Sequence, residues 1–220
     1  MNLTGEIKSY HDFDQFVDAF RERLKLPLPG KMAQLKMAST IRNKELDFSY
    51  DTSTATKSGV LILLYPHFNR IKTIFILRQT YDGVHSGQVS FPGGRIEEND
   101  NSLIETALRE AEEEVNIRSE KVNVLGNLSE LFIPPSNYLV LPVLGFMENR
   151  PDLKPDPTEV SDIIEADISF LFDENKIKSK IIEIKDHKIE APYFDVDGHV
   201  IWGATAMILS ELKEVILSIP

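Results

Sequence analysis

Gly93-Gly94-Arg95-Ile96-Glu97-Glu98-Asn99-Asp100-Asn101-Ser102-Leu103-Ile104-Glu105-Thr106-Ala107-Leu108-Arg109-Glu110-Ala111-Glu112-Glu113-Glu114-Val115-Asn116-Ile117 is the stretch on which the reading of this chain turns. A double glycine leads into an acidic loop and then into a helix. Ser102, with Glu105 three residues on, forms a capping-box pattern that starts the helix. Asn116 tolerates the left-handed conformation common just past a helix end, so the helix is expected to stop there. Ile104, Leu108, Ala111 and Val115 recur at spacings of three and four and make one apolar stripe. Glu110, Glu113 and Glu114 share a second face, roughly 130° around the helix from the first. One face is therefore expected to dock on a core while the other presents three converging acids.

Like charges three and four residues apart repel by a few tenths of a kcal/mol per pair. A bound hard cation relieves that repulsion, and magnesium prefers oxygen ligands completed by waters and substrate phosphates. Gly93 and Gly94 let the backbone pass close to a ligand, and a glycine carbonyl there adds a metal ligand. A solvated acidic helix face is the alternative. The acids, however, come with Arg109 beside them and Phe91-Pro92-Gly93-Gly94 before them.

The segment resembles the signature of the Nudix hydrolases. Arg109-Glu110-Ala111-Glu112-Glu113-Glu114-Val115-Asn116-Ile117 matches its second half, with Asn116 in place of a Gly. Gly94 lies one residue farther from Arg109 than the general pattern has it, and Asp100 stands where a Glu is expected. The longer spacing is similar to the coenzyme A pyrophosphatase branch, which carries a further upstream signature. Against that signature Arg78, His85 and the run Gly87-Gln88-Val89-Ser90-Phe91-Pro92-Gly93-Gly94 fit, whereas Ile76 replaces a Thr, Gln79 a Ser and Gly83 an Arg. Downstream, Pro142 to Gly145, Glu159-Val160 and Ile201-Trp202-Gly203-Ala204-Thr205-Ala206 also resemble the branch, so the likeness spans about residues 30–215.

The resemblance implies an α/β fold, an α/β/α sandwich with a mixed β-sheet between helices. It implies a Mg2+- or Mn2+-dependent pyrophosphohydrolase in which Glu110, Glu113 and Glu114, with the Gly93 carbonyl, hold metal. Arg109 orients a catalytic glutamate, and Glu159 acts from its loop as a further metal ligand or as general base. Arg78, His85 and Gly94 meet substrate. The substrate expected is coenzyme A or a derivative, cleaved to 3′,5′-ADP and 4′-phosphopantetheine. Other nucleoside diphosphate derivatives (ADP-ribose, NADH or a nucleoside triphosphate) remain alternatives, supported by Gly83 in place of an Arg, because Arg is a natural phosphate clamp. A non-catalytic ligand sensor on the same fold is the reading from another class, although such proteins typically lose the acids retained here. His85 is otherwise a loop histidine without a role. Glu112 is expected in solvent, and Trp202 and Tyr138 in packing rather than under a base.

Composition narrows the class. At 220 residues the chain is expected to be one domain with an extension: residues 1–56 as a helical N-terminal extension packed on the main domain, and residues 57–220 as the hydrolase domain. Its 42% hydrophobic content is enough for a core, and no run of eighteen apolar residues suggests a membrane span. The opening residues lack the form of a signal peptide, and the absence of cysteine excludes disulfides and thiol catalysis. A cytoplasmic protein is expected. The net charge of −11 argues against a nucleic-acid reader, which needs a basic surface. The expected partner is a small nucleoside diphosphate, with a homodimer left open.

Along the rest of the chain, Asp12 with Gln15 is expected to cap a helix whose Phe13, Phe16, Val17, Phe20 and Leu24 face inward. Residues 31–57 read as irregular. Val60–Tyr65, Thr73–Arg78, Val122–Phe132, Tyr138–Met147, Ile177–Ile184, Lys188–Tyr193 and His199–Trp202 read as strands. Ile168–Phe172 reads as a short helix and Ala204–Ile219 as a closing amphipathic one.

Overall fold

The computed structural model of the protein describes residues 10–43, 50–80, 87–184 and 187–219. Its spine is a pair of apolar strands, β1 (Thr56–His67) and β7 (Tyr138–Phe146), which run parallel from Thr56↔Tyr138 to Leu64↔Phe146. Strand β2 (Arg70–Arg78) folds back from β1 through a hairpin, and β3 (Val89–Ser90) and β8 (Val160–Asp167) pair antiparallel with it. Strand β4 (Gly93–Arg95) lies antiparallel to the start of β1. Strands β5 (Asn123–Asn127) and β6 (Leu131–Ile133) lie antiparallel to β7. The sheet is thus mixed, as expected.

Side-chain alternation along β1 sends its two faces into different cores. Leu61, Leu63 and Tyr65 meet Ala107, Ala111 and Val115 of α4 (Leu103–Val115), while Ile62 and Leu64 meet the opposite layer. That layer contains α1 (Tyr10–Leu24), through Phe13, Phe16, Val17 and Phe20, and the closing helix α5 (Gly203–Leu217), through Ile208, Leu212, Val215 and Ile216. Because both faces are covered, β1 and β7 read as near-continuous apolar runs. A second antiparallel sheet, β9 (Ile177–Ile184), β10 (His187–Val196) and β11 (His199–Trp202), follows the 3-10 turns at Ile168–Phe172 and Glu174–Lys176. Among the described residues no helix is long and apolar enough to cross a membrane.

Three expectations change. Helix α1 already runs at Tyr10, so Asp12 sits inside its first turn, where a negative charge favours the helix dipole, rather than at its cap. Residues 31–57 are not uniformly irregular: α2 (Gly30–Gln34), a 3-10 turn at Leu35–Met37 and α3 (Thr40–Asn43) precede β1. Gly30 and Gln34 of this segment donate to the fully buried carboxylate of Glu211 on α5 at 3.0 and 2.9 Å, a long-range anchor that local pattern does not reveal. The single strand expected over Val122–Phe132 is two, β5 and β6. Gly126, at φ +153°, lies at a register shift against β7, and this irregularity interrupts the ladder. One strand has no counterpart among those expected: β8, which follows the loop bearing Glu159, lies along β2, and its polar Ser161, Asp162 and Glu165 hide the alternation.

Candidate active site

Helix α4 carries the acids and begins as its sequence indicates. Ser102 Oγ accepts from the Glu105 N–H at 3.2 Å, Glu105 Oε2 reaches back to the Asn101 N–H at 2.9 Å, and Asn116 closes the helix at φ +62°. The Asn116 N–H donates to the Glu112 carbonyl at 2.9 Å. Glu112 is exposed and its carboxylate accepts from the Ser119 N–H and hydroxyl at 3.0 and 2.8 Å.

The double glycine brings β4 onto this helix. A Cβ on Gly94 would stand 2.4 Å from the Glu110 carboxylate, and one on Gly93 would stand 2.3 Å from the Gly59 carbonyl. Gly93 must be glycine because the backbone of β1 occupies the room of a side chain, whereas at Gly94 the room is taken by the movable end of Glu110. Gly59 on β1 is equally constrained, since a Cβ there would lie 2.2 Å from the Leu103 carbonyl at the start of α4. Strand and helix can approach this closely only through glycine.

This approach corrects the picture of three acids on one solvent face. Glu114 is 2% exposed. Its Oε2 accepts from the Gly93 N–H at 2.8 Å, and its Oε1 lies 3.5 Å from Arg78 Nη2, without a hydrogen bond. Burial pushes the Glu114 carboxyl up to about 7, against the pull of Arg78 and the Gly93 N–H and with the repulsion of Glu110 and Glu159. Glu110 is partly buried, and burial raises its pKa too, opposed by Arg109. Glu113 keeps 59% of its side-chain surface exposed.

Arg109 organises the other side. It grips Asp100 with two bonds, from Nε and Nη2 at 3.0 Å each, and donates to Glu110 Oε1 at 3.0 Å, to Glu113 Oε2 at 2.9 Å and to the Arg95 carbonyl at 3.2 Å. Asp100 also accepts from the Glu97 N–H and the Thr106 hydroxyl, and the Arg109 guanidinium holds its carboxyl down to about 2. Asp100 is thus the clamp for Arg109; an acid standing where the resembling signature has a Glu is the sequence signal for it. Arg78 lies on β2, donating to the Gly93 carbonyl at 2.9 Å and to Ser90 Oγ at 3.2 Å. Beside it a cleft of about 580 Å³ is lined by Arg78, Gln79, Thr80, Pro157, Thr158 and Glu159. The structure therefore brings together Arg78, Gly93, Gly94, Arg109, Glu110, Glu113 and Glu114, with Glu159 across the cleft. His85 and Gly83 lie outside the described residues. Tyr138 and Trp202 are half-buried.

Among the described residues no three acids stand close enough to form a ready-made cage for a cation. Arg109 draws Glu113 and Glu110 towards itself. The donor set nevertheless suits a hard divalent ion: the partnerless Glu114 Oε1, the Glu110 carboxylate against Gly94 and the glycine carbonyls are all oxygen. Magnesium needs few protein ligands when waters and phosphates complete its shell.

Comparison with known proteins agrees with this geometry. The NUDIX domain family matches residues 55–197. A Photorhabdus laumondii protein named "Uncharacterized Nudix hydrolase NudL" is 38% identical over 130 residues, covering 59% of this chain and 69% of that one. Its Yersinia pestis namesake is 31% identical over 204 residues, 91% of this chain and 94% of the relative. The crystal structure of the Nudix hydrolase RenU from M. smegmatis superposes with a TM-score of 0.54 over 76% of this chain and 88% of that one, at 15% identity, a likeness of fold. A glycine strand laid on a helix of clamped glutamates, matched by sequence along nearly its whole length, places this chain in the Nudix hydrolase family, whose members act on diphosphate bonds.

Proposed function

We propose that this chain is a Mg2+- or Mn2+-dependent pyrophosphohydrolase that cleaves the diphosphate of coenzyme A or its derivatives into 3′,5′-ADP and (acyl-)4′-phosphopantetheine. The observation that carries the reading is the contact of Gly93 and Gly94 with Glu114 and Glu110, joined through Arg78 to a cleft that Arg78 and Glu159 line. Enzymes of the family generally use divalent metal ions. Glu110, Glu113, Glu114 and the Gly93 carbonyl would hold such ions here. When bound, the ions neutralise the diphosphate and favour in-line displacement at phosphorus by water.

The chain's own residues supply the rest. Gly94 leaves the room in which the Glu110 carboxylate points across β4. Arg109, locked on Asp100, keeps Glu110 and Glu113 from spreading apart under their mutual repulsion. Arg78 steadies Glu114 while its guanidinium lines the cleft, where it meets a phosphate oxygen of the substrate. Glu159, exposed in the lining of the same cleft, takes the proton of the attacking water. The described helices that precede β1 serve, through α1, as an extension of the layer that backs the sheet.

Coenzyme A is favoured over ADP-ribose, NADH or a nucleoside triphosphate by the spacing of the double-glycine segment and by the upstream run that leads into it. The test is turnover of a panel (coenzyme A, dephospho-coenzyme A, ADP-ribose, NADH and nucleoside triphosphates) with magnesium, manganese or chelator. Hydrolysis of coenzyme A that chelator abolishes is expected. Turnover of ADP-ribose or NADH with coenzyme A ignored overturns the substrate, and no metal-dependent turnover of any diphosphate overturns the enzyme. Gly83→Arg, which supplies the cation of the resembling branch, is expected to lower KM for coenzyme A more than for dephospho-coenzyme A if the contact is to the 3′-phosphate.

A further inference from the structure

Glu159 sits on a short, exposed segment, and something must fix its carboxylate relative to α4. One leg of the segment is tied to the helix end. The Asp156 N–H donates to the Glu114 carbonyl at 2.9 Å, and the Glu159 and Val160 N–H groups donate to the Asp156 carbonyl at 3.2 and 2.8 Å. Asp156 Oδ1 accepts from the Thr158 N–H and hydroxyl at 2.8 and 2.7 Å, which makes the turn internally stiff. The other leg meets β2 where their pairing slips: the register shifts between Leu77 and Arg78, and Arg78 comes opposite Val160. Beyond this slip, three carbonyls of the segment converge on one residue. Gln79 Nε2 donates to Pro157 O at 3.0 Å and, more weakly, to Val160 O at 3.5 Å, and the Gln79 N–H donates to Glu159 O at 3.0 Å.

We infer that Gln79 is the positioning residue for Glu159, its carboxamide setting where the 157–160 segment crosses the end of β2 and hence where the carboxylate stands in the cleft. The inference rests on the role given to Glu159 above. Glu159 lies near enough to Glu110 and Glu114 for its charge to disfavour ionisation of both, so a small shift of the segment changes the field at the acids. A serine, the residue of the resembling branch at this place, is two heavy atoms shorter. The carboxamide is thus a feature of this chain, bonding from a half-buried position to a stretch whose one apolar anchor, the buried Val160, lies beyond Glu159 while Pro157, Thr158 and Glu159 are exposed.

The test separates a hydrogen-bonding role from a space-filling one. Q79M keeps the length and loses the side-chain donor; Q79K reaches one atom farther and donates. In Q79M the amides of Glu159 and Val160 are expected to exchange with solvent about tenfold faster, with α4 unchanged. Its kcat is expected to fall about tenfold with KM held within about twofold, and Q79K to recover most of the loss. In an E159Q background Q79M is expected to cost nothing more, because residues acting through one group are not additive. Unchanged amide exchange in Q79M overturns the inference without reference to activity. A loss that multiplies with that of E159Q overturns it as well, since Gln79 then acts elsewhere. Full activity in E159Q overturns the role of Glu159 itself, and with it any function for its positioning.

Discussion

Arg78 Nη2 lies 3.5 Å from Glu114 Oε1 and donates to the Gly93 carbonyl at 2.9 Å, so one guanidinium joins β2, β4 and α4 at the buried end of the acid cluster. Glu114 is buried away from solvent and shares the neighbourhood with Glu110 and Glu159. A single cation offsets part of the cost of burying its charge, and the carboxyl is left up at about 7.

A pH dependence follows. The folded value near 7 stands above the ordinary 4.5, so the folded protein holds this proton more tightly than the unfolded chain. The stability it contributes is fully present below about 4.5 and is lost as pH rises through about 7. In chelator, the wild type is expected to lose stability between pH 5 and pH 8 more steeply than Glu114→Gln, by at most about 1.4 kcal/mol per pH unit. Magnesium, which needs the carboxylate, is expected to raise Tm more at pH 8 than at pH 6. Superimposable wild-type and Glu114→Gln profiles would show that this group does not carry the effect.

Two glycine substitutions are expected to fail differently. In Gly94→Ala the new methyl meets the far end of a flexible Glu110 side chain, so Tm changes little while the magnesium-induced shift in Tm shrinks. In Gly59→Ala it meets the Leu103 backbone carbonyl, which cannot step aside without moving α4. A loss of about 2–3 kcal/mol is expected there. Thermal melts with and without magnesium distinguish them; equal destabilisation of the two would contradict the packing described.

Asp100→Asn removes the charge from a clamp whose side chain is only 5% exposed. A charge-assisted pair of this kind contributes about 1.5–3 kcal/mol, and denaturant unfolding at pH 7 should register that loss. Because the Asp100 carboxyl is held down to about 2 from 3.8, the difference from wild type is present above pH 4 and closes as pH falls through about 2. Turnover should fall as well, since Arg109 then loses its fixed point. Activity at the wild-type level would mean that Arg109 holds Glu110 unaided.

Glu113→Gln separates function from fold. Glu113 is mostly exposed, and its i,i+4 pair with Arg109 is worth a few tenths of a kcal/mol. Tm without metal should stay within about 1 °C of wild type. The rate is expected to fall about a thousandfold, some 4 kcal/mol of barrier. Retained activity at saturating metal would remove Glu113 from the ion-holding set.

Local chemistry made much of this molecule legible in the chain itself. Ser102, Glu105 and Asn116 mark both ends of α4, and the apolar stripe through Ala111 and Val115 points to its buried side. The spacing of Arg109, Glu110, Glu113 and Glu114 after a double glycine pointed to the family and to the candidate site. Such signals are carried by residues within one or two helical turns of each other, where backbone geometry is nearly fixed by the sequence. What depended on distant residues was decided by the tertiary structure. Glu114 shares a helix face with Glu113, yet only the arrival of β4, paired to β1 through Gly59 and Gly94, buries one and leaves the other in solvent. Asp100 becomes the partner of Arg109 because the acidic loop folds back on the helix. Glu159 acquires a defined place only where Gln79, eighty residues earlier, meets its loop. A carboxylate's chemistry is set by its exposure and the charges around it, and those belong to the packed fold, not to the order of residues along the chain.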